Sequence, residues 1–205
     1  MKLVDSPVGA QVDDRIYTET YKASPKLSQA CMAEDAPIIH SMDTRWKPNV
    51  TVAAIIERDG RYLLIEEHTQ EGLRLNNPAG HLDPGESPAD ACAREALEET
   101  AHPFTPTALV GIYMSRFQRP ATGEDITYLR MAFCGDIGEH QAHLKLDEGI
   151  VRTLWMTPEE IRVSVQRHRS PLVLQCIEDH LAGQRFPLQV IHTDPAVAAL
   201  PPLQR

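Results

Sequence analysis

The sequence predicts an α/β fold in which a β-rich sheet is interrupted by helices. Three observations carry that expectation. Asp59-Gly60 stands between two β-rich runs, Asn49 to Glu57 and Arg61 to Glu67, and such a pair favours a tight hairpin because both turn residues need positive φ. The later runs ALVGIYMSRF, ITYLRMAFCGDI and VRTLWM repeat their apolar residues at about strand spacing. Helix-start chemistry, a hydroxyl residue followed by proline, occurs at Ser87-Pro88, Thr157-Pro158 and Ser170-Pro171.

With 205 residues, 42% of them hydrophobic, the chain can bury one substantial core and is short for two. Residues 1–41 mix Ser, Pro, Asp and Lys without a sustained period, and patterned sequence begins near Trp46. The expected organisation is an extension over 1–45, poorly ordered or a mis-assigned start with Met42 as the genuine one, then a folded domain over 46–192. A loose, proline-bearing tail over 193–205 follows.

A formal net charge of −9 argues against nucleic-acid polymers and membrane surfaces as partners, because both demand clustered Lys and Arg. An anionic substrate would need cations to mediate. Cys31, Cys92, Cys134 and Cys176 stand far apart without zinc-ligand spacing and read as reduced packing residues. Neither a signal-peptide pattern nor an apolar run of about 20 residues is present, so the cytoplasm is the expected compartment. Nothing in the sequence sets an oligomeric state.

Taken in order, the Asp59-Gly60 hairpin leads through a short segment into NNPAGH and then into an acidic helix. Ser87 caps that helix, Pro88 takes its first position, and Asp90 stands three residues after the cap. Thr157-Pro158-Glu159-Glu160 reads as a capping box, and Ser170-Pro171 opens a further helix closed by Gly183.

On the acidic helix, Glu95, Glu98 and Glu99 fall within an arc of roughly 100°, with Ala89, Ala93, Ala96 and Leu97 on the other side. The alanines are expected to pack and the carboxylates to be presented. A solvated charged face would pair Glu with Lys or Arg four residues on, whereas Glu95 and Glu99 are like charges at that spacing, costing about 0.2–0.5 kcal/mol. Glu98 and Glu99 also sit near the negative end of the helix. Carboxylates crowded against helix polarity suit a hard divalent cation that wants oxygen ligands.

Gly80, Glu86 and Arg94-Glu95-Ala96-Leu97-Glu98-Glu99-Thr100, at these spacings, resemble the Nudix box. The resemblance implies a Nudix α/β/α sandwich with a mixed sheet, and a loop-helix-loop that holds Mg²⁺ or Mn²⁺ against the phosphates of a small phosphorylated substrate. It further implies Glu95, Glu98, Glu99 and the Ala79 carbonyl as metal ligands, with Arg94 and Glu86 orienting the glutamates. The family's glycine after Glu-Glu-x is Ala101 here, followed by His102 and Pro103, which leaves the exit from the helix to be made another way.

KPNVTVAAII, NNPAGHLDPGES, YLRMAF and RSPLVLQCIEDHLAGQRFPLQVI are together similar to the phosphatase NudJ group. That likeness implies hydrolysis of nucleoside tri- and diphosphates with release of orthophosphate, and of hydroxymethylpyrimidine diphosphate, a thiamine precursor. Rival readings are a Nudix pyrophosphatase acting on another nucleoside-diphosphate-linked compound such as ADP-ribose, or a non-catalytic ligand-sensing module.

Other residues have two readings each. Arg130 alternates with Leu129 and Met131, and either meets a substrate phosphate or is an ordinary exposed arginine. His81 touches substrate or is a polar loop residue. Glu148, which with Asp147 precedes the strand ending at Trp155, is chosen as a further metal ligand or base, or is a solvated turn acid, and Glu95 is the other candidate base. Trp46 and Trp155 read as packing residues.

Overall fold

The computed structural model describes residues 46–119 and 122–199. The expectations for the extension, for Cys31 and for residues 200–205 lie outside the described residues. Strand β1 (Asn49–Ile55) is the middle of the architecture. From Val52 onward it is buried on both faces, which explains its nearly unbroken apolar run.

Val52 and Ala54, with Ile56 just beyond the strand, pack beside Ala91, Cys92 and Ala96 of helix α1 (Pro88–Thr100). Ala53 and Ile55 pack on the opposite side beside Val173, Cys176 and Ile177 of helix α3 (Leu172–Leu181). Period-2 alternation thus sorts one strand between two helical layers.

The run expected as a single strand from Asn49 to Glu57 is divided between two sheets. β1 joins a five-stranded mixed sheet of order β5-β1-β7-β6-β9, whose other members are β5 (Ala79–His81), β6 (Phe104–Gln118), β7 (Asp125–Ile137) and β9 (Phe186–Pro187). β1 is parallel to β7 and antiparallel to β5. The chain then passes Ile56 into β2 (Glu57–Arg58), which pairs with β3 (Arg61–Thr69) in a second sheet with β4 (Gly72–Asn76) and β8 (Ile150–Met156). The hairpin is where it was expected, between β2 and β3. Asp59 and Gly60 have φ of 53° and 75°, the double positive φ that such a turn needs.

Helix α2 (Pro158–Val163) carries the full capping box, with Thr157 Oγ1 accepting from Glu160 N and Thr157 N donating to Glu160. Helix α3 begins without the cap expected from Ser170. Pro171 is its N-cap residue, and the buried Ser170 hydroxyl has no partner among the described residues. Cys92, Cys134 and Cys176 are free and buried. Trp155 is half-buried beneath the Arg58 guanidinium, but Trp46 is 67% exposed and does not pack. A four-residue helix, α4 (Ala196–Ala199), lies in the tail and buries no residue. No helix among the described residues is long and apolar enough to cross a membrane.

Candidate active site

Helix α1 starts as its sequence dictates. Ser87 accepts from Asp90 N, and Pro88, which has no N–H to satisfy, occupies the first turn. The Asp90 carboxylate accepts from the Ser87 hydroxyl at 2.7 Å, so the reciprocal bond of a capping box is replaced by one between side chains.

The helix does not bury the face expected. Ala89, Ala93 and Leu97 are only half-buried, while Ala91, Cys92 and Ala96 share the interior with Glu95 and Glu99, which are 9% and 8% exposed. The carboxylates are therefore inside, against β5, rather than presented to solvent. Gly80 on β5 makes this possible. A Cβ there would lie under 3.0 Å from the carboxyl carbon of Glu95, closer than real Cβ contacts come, so the space a side chain would need holds the carboxylate instead.

Arg94 organises the cluster. Its Nε and Nη2 donate to the two carboxylate oxygens of Glu86 at 3.0 and 2.8 Å, and Nη1 donates to Glu95 at 2.8 Å and Glu98 at 2.9 Å. Nη2 also donates to the His81 carbonyl at 3.0 Å. These five acceptors match the five N–H groups of a guanidinium, whose planar fork fixes their relative positions. The cationic form of Arg94 is strengthened accordingly, mainly by the Glu86 hydrogen bonds. Burial pushes the Glu86 carboxyl up, but hydrogen bonds from Arg94 and from Asp83 N outweigh it and hold the group below its ordinary value.

Glu95 and Glu99 go the other way. Burial raises Glu95 despite its bond to Arg94. Burial also pushes Glu99 up to about 8, with the charges of Glu95, Glu67 and Asp147 adding to the effect, against one hydrogen bond from Ala79 N at 2.7 Å. Burial thus outweighs the Arg94 ion pair at Glu95 and the single backbone hydrogen bond at Glu99.

The donor chemistry fits a hard divalent cation: several carboxylate oxygens, two of them desolvated and mutually repelling, packed against a glycine that leaves them room. As the side chains stand, with Arg94 bonded to Glu95 and Glu98, no three acids among the described residues are grouped closely enough to enclose an ion.

Arg130 reaches the same region from the sheet. It lies on β7 opposite Thr51 of β1, on the side facing α3, and is 9% exposed, so it is not an ordinary surface arginine. Burial weakens its cationic form, opposed by the nearby thiol of Cys176 and the charges of Glu67 and Glu99. One guanidinium nitrogen, Nη1, is buried with no hydrogen-bond partner among the described residues.

His81 is exposed beside the cluster, its ring 6.2 Å from that of Tyr128. Glu148 is exposed in the loop before β8. Its neighbour Asp147, also exposed, bonds through its N–H to the Glu98 carbonyl at 3.0 Å and acts electrostatically on Glu95 and Glu99. Glu67 is a further acid that the sequence reading missed. It accepts from Asn76 Nδ2 at 3.2 Å and its charge is felt by both Glu99 and Arg130.

A family model described as the NUDIX domain matches residues 46–175. The phosphatase NudJ of Escherichia coli (strain K12) is 32% identical over 146 residues, covering 71% of this chain and 92% of that protein. The phosphatase NudJ of Shigella flexneri matches with the same figures. Among solved structures, a NUDIX hydrolase from Nitrosomonas europaea is 50% identical, with coverage of 72% of this chain and 98% of that one and a TM-score of 0.67.

Proposed function

The chain belongs to the Nudix hydrolase family, and we propose that it is a metal-dependent phosphatase that releases orthophosphate from nucleoside tri- and diphosphates. Hydroxymethylpyrimidine diphosphate is the further substrate we assign, and residues 46–192 are the catalytic domain. Nudix hydrolases use divalent metal ions and act on small phosphorylated compounds. The observation that carries the reading is the buried pair Glu95 and Glu99, the first packed against Gly80 and the second acting on the charge of the buried Arg130.

In this reading Glu95, Glu98, Glu99 and the Ala79 carbonyl hold Mg²⁺ or Mn²⁺. Held there, such an ion would supply positive charge for the phosphate chain and would favour deprotonation of a water. The chain's own residues do the rest. Arg130 offers its buried, unpartnered Nη1 to a phosphate oxygen, a strong charge-assisted contact. Arg94 keeps Glu95 and Glu98 at fixed positions through its shared fork. A carboxylate, Glu95 or Glu148, takes the proton from the attacking water, and Asp147 fixes the loop that carries Glu148 against the helix. His81 contacts the substrate beside this centre.

A direct product assay tests the reading. GTP, CTP and the pyrimidine diphosphate are incubated with enzyme and Mg²⁺, and orthophosphate is measured without added pyrophosphatase. Orthophosphate should appear from all three. Its appearance only after pyrophosphatase is added would place attack at an inner phosphorus and favour the pyrophosphatase reading.

A further inference from the structure

We infer that Phe117 and Tyr128 form a stacking platform for the planar heteroaromatic end of the substrate, an inference that rests on the nucleotide reading above. Strand register brings the platform to the phosphate-binding centre. Tyr128 and Arg130 stand two residues apart on β7, so their side chains leave the same face about 7 Å apart. Across the sheet, Arg130 is opposite Thr51, and Thr51 is opposite His81. On the other flank Tyr128 is opposite Ser115 and Ile126 is opposite Phe117, which makes Phe117 the diagonal neighbour of Tyr128. Diagonal neighbours across antiparallel strands lie within reach of aromatic side chains.

The rings use that reach. Phe117 and Tyr128 are stacked, with centroids 6.0 Å apart and planes 11° from parallel. The His81 ring stands on the other side of Tyr128 at 49°. His81 is also tied by its carbonyl to Arg94, the guanidinium that holds Glu95 and Glu98. Phe117 is 47% exposed, so an aromatic surface is left open beside the site.

Continuity with Arg130 identifies the occupant. A phosphate chain meeting the free Nη1 of Arg130 directs the organic end of the same molecule along β7 toward Tyr128 and Phe117. Stacking reads the face of a base and not its hydrogen-bonding edge, so purines and pyrimidines are both accepted. This supplies a hold on the base that does not select among bases.

The test uses the full chain with Mg²⁺ and compares KM and kcat for GTP and CTP in the wild type, Phe117→Leu, Phe117→Trp and Met114→Ser, with a melting curve for each. Met114 is 65% exposed on the alternate face of β6 and serves as the control. Phe117→Leu keeps apolar area but loses the ring, and should raise KM for both nucleotides about tenfold, with kcat close to wild type. Phe117→Trp should restore KM, and Met114→Ser should leave it unchanged. Unchanged KM in Phe117→Leu, a loss confined to kcat, or failure of Trp to restore binding overturns the inference. So does a change in oligomeric mass with unchanged KM, which would make the rings a contact between copies. A wild type that hydrolyses neither nucleotide would instead refute the phosphatase reading on which the inference rests.

Discussion

The carboxylate of Glu95 fills the space that a side chain on Gly80 would need, leaving under 3.0 Å between a Cβ at position 80 and the Glu95 carboxyl carbon. Glu95 cannot swing clear freely, because Arg94 holds its Oε1 at 2.8 Å. Gly80→Ala should therefore displace Glu95 and cut turnover by about 10²-fold, the scale on which small misplacements act in positioned sites. The melting temperature should fall only slightly. Steady-state rates and a melting curve check this, and wild-type turnover in the Gly80→Ala variant would show that the close approach is incidental.

The family glycine replaced by Ala101 has left a measurable trace. Ala101 takes the left-handed conformation itself, at φ 56° and ψ 23°, and its N–H closes the helix onto the Leu97 carbonyl. The exit is then buttressed by Gln141 N donating to the Ala101 carbonyl and by the hydrogen bond between His102 Nδ1 and the Gly138 carbonyl. For a residue with a Cβ this conformation costs about 1–2 kcal/mol, partly offset by the greater unfolded-state freedom of glycine. Ala101→Gly should stabilise the protein by about 1 kcal/mol, read as a rise in the denaturation midpoint at unchanged m-value.

The acid limb of the stability curve is assigned to Glu66. Its side chain is 4% exposed and meets Arg152 at 2.7 Å and Arg167. The Arg152 hydrogen bond, against burial, holds its carboxyl below the ordinary value of 4.5. A depressed folded-state value means that this stability is fully present above pH 4.5 and is lost as the pH falls below it. Glu66→Gln should lower the melting temperature at pH 7 and flatten its decline between about pH 5 and 3. Parallel acid limbs in wild type and variant would assign the loss to other carboxylates.

Much of this site was legible in the sequence, and the failures have physical causes. The spacing of Gly80, Glu86 and Glu95 to Glu99 located the cluster, and Ser87-Pro88 located the start of α1. A helical wheel grouped the carboxylates correctly but put them on the wet side. It carries no information about which neighbour has room, and that was decided by Gly80 on β5. The division of Asn49 to Glu57 between two sheets was hidden because a strand buried on both faces has no alternation to mark where it ends. Glu67 and the Phe117–Tyr128 pair were invisible for a different reason. Each joins the site through strand pairing or loop packing between residues far apart in the chain, which no local pattern records.

The central claim is that helix α1 keeps buried glutamates for chemistry and at the expense of stability. Glu99→Gln tests it most directly, because the change removes an ionisable carboxyl group and little else. Turnover is measured in the presence of Mg²⁺ and melting temperature in its absence. The account predicts that turnover falls by at least about 10²-fold. The melting temperature should stay the same or rise, since a glutamine needs no proton to be buried beside Glu95, whereas Glu99, pushed up to about 8, must take one up on folding near neutral pH. A Glu99→Gln enzyme that retains its turnover, or one that loses activity only because it unfolds, would contradict it.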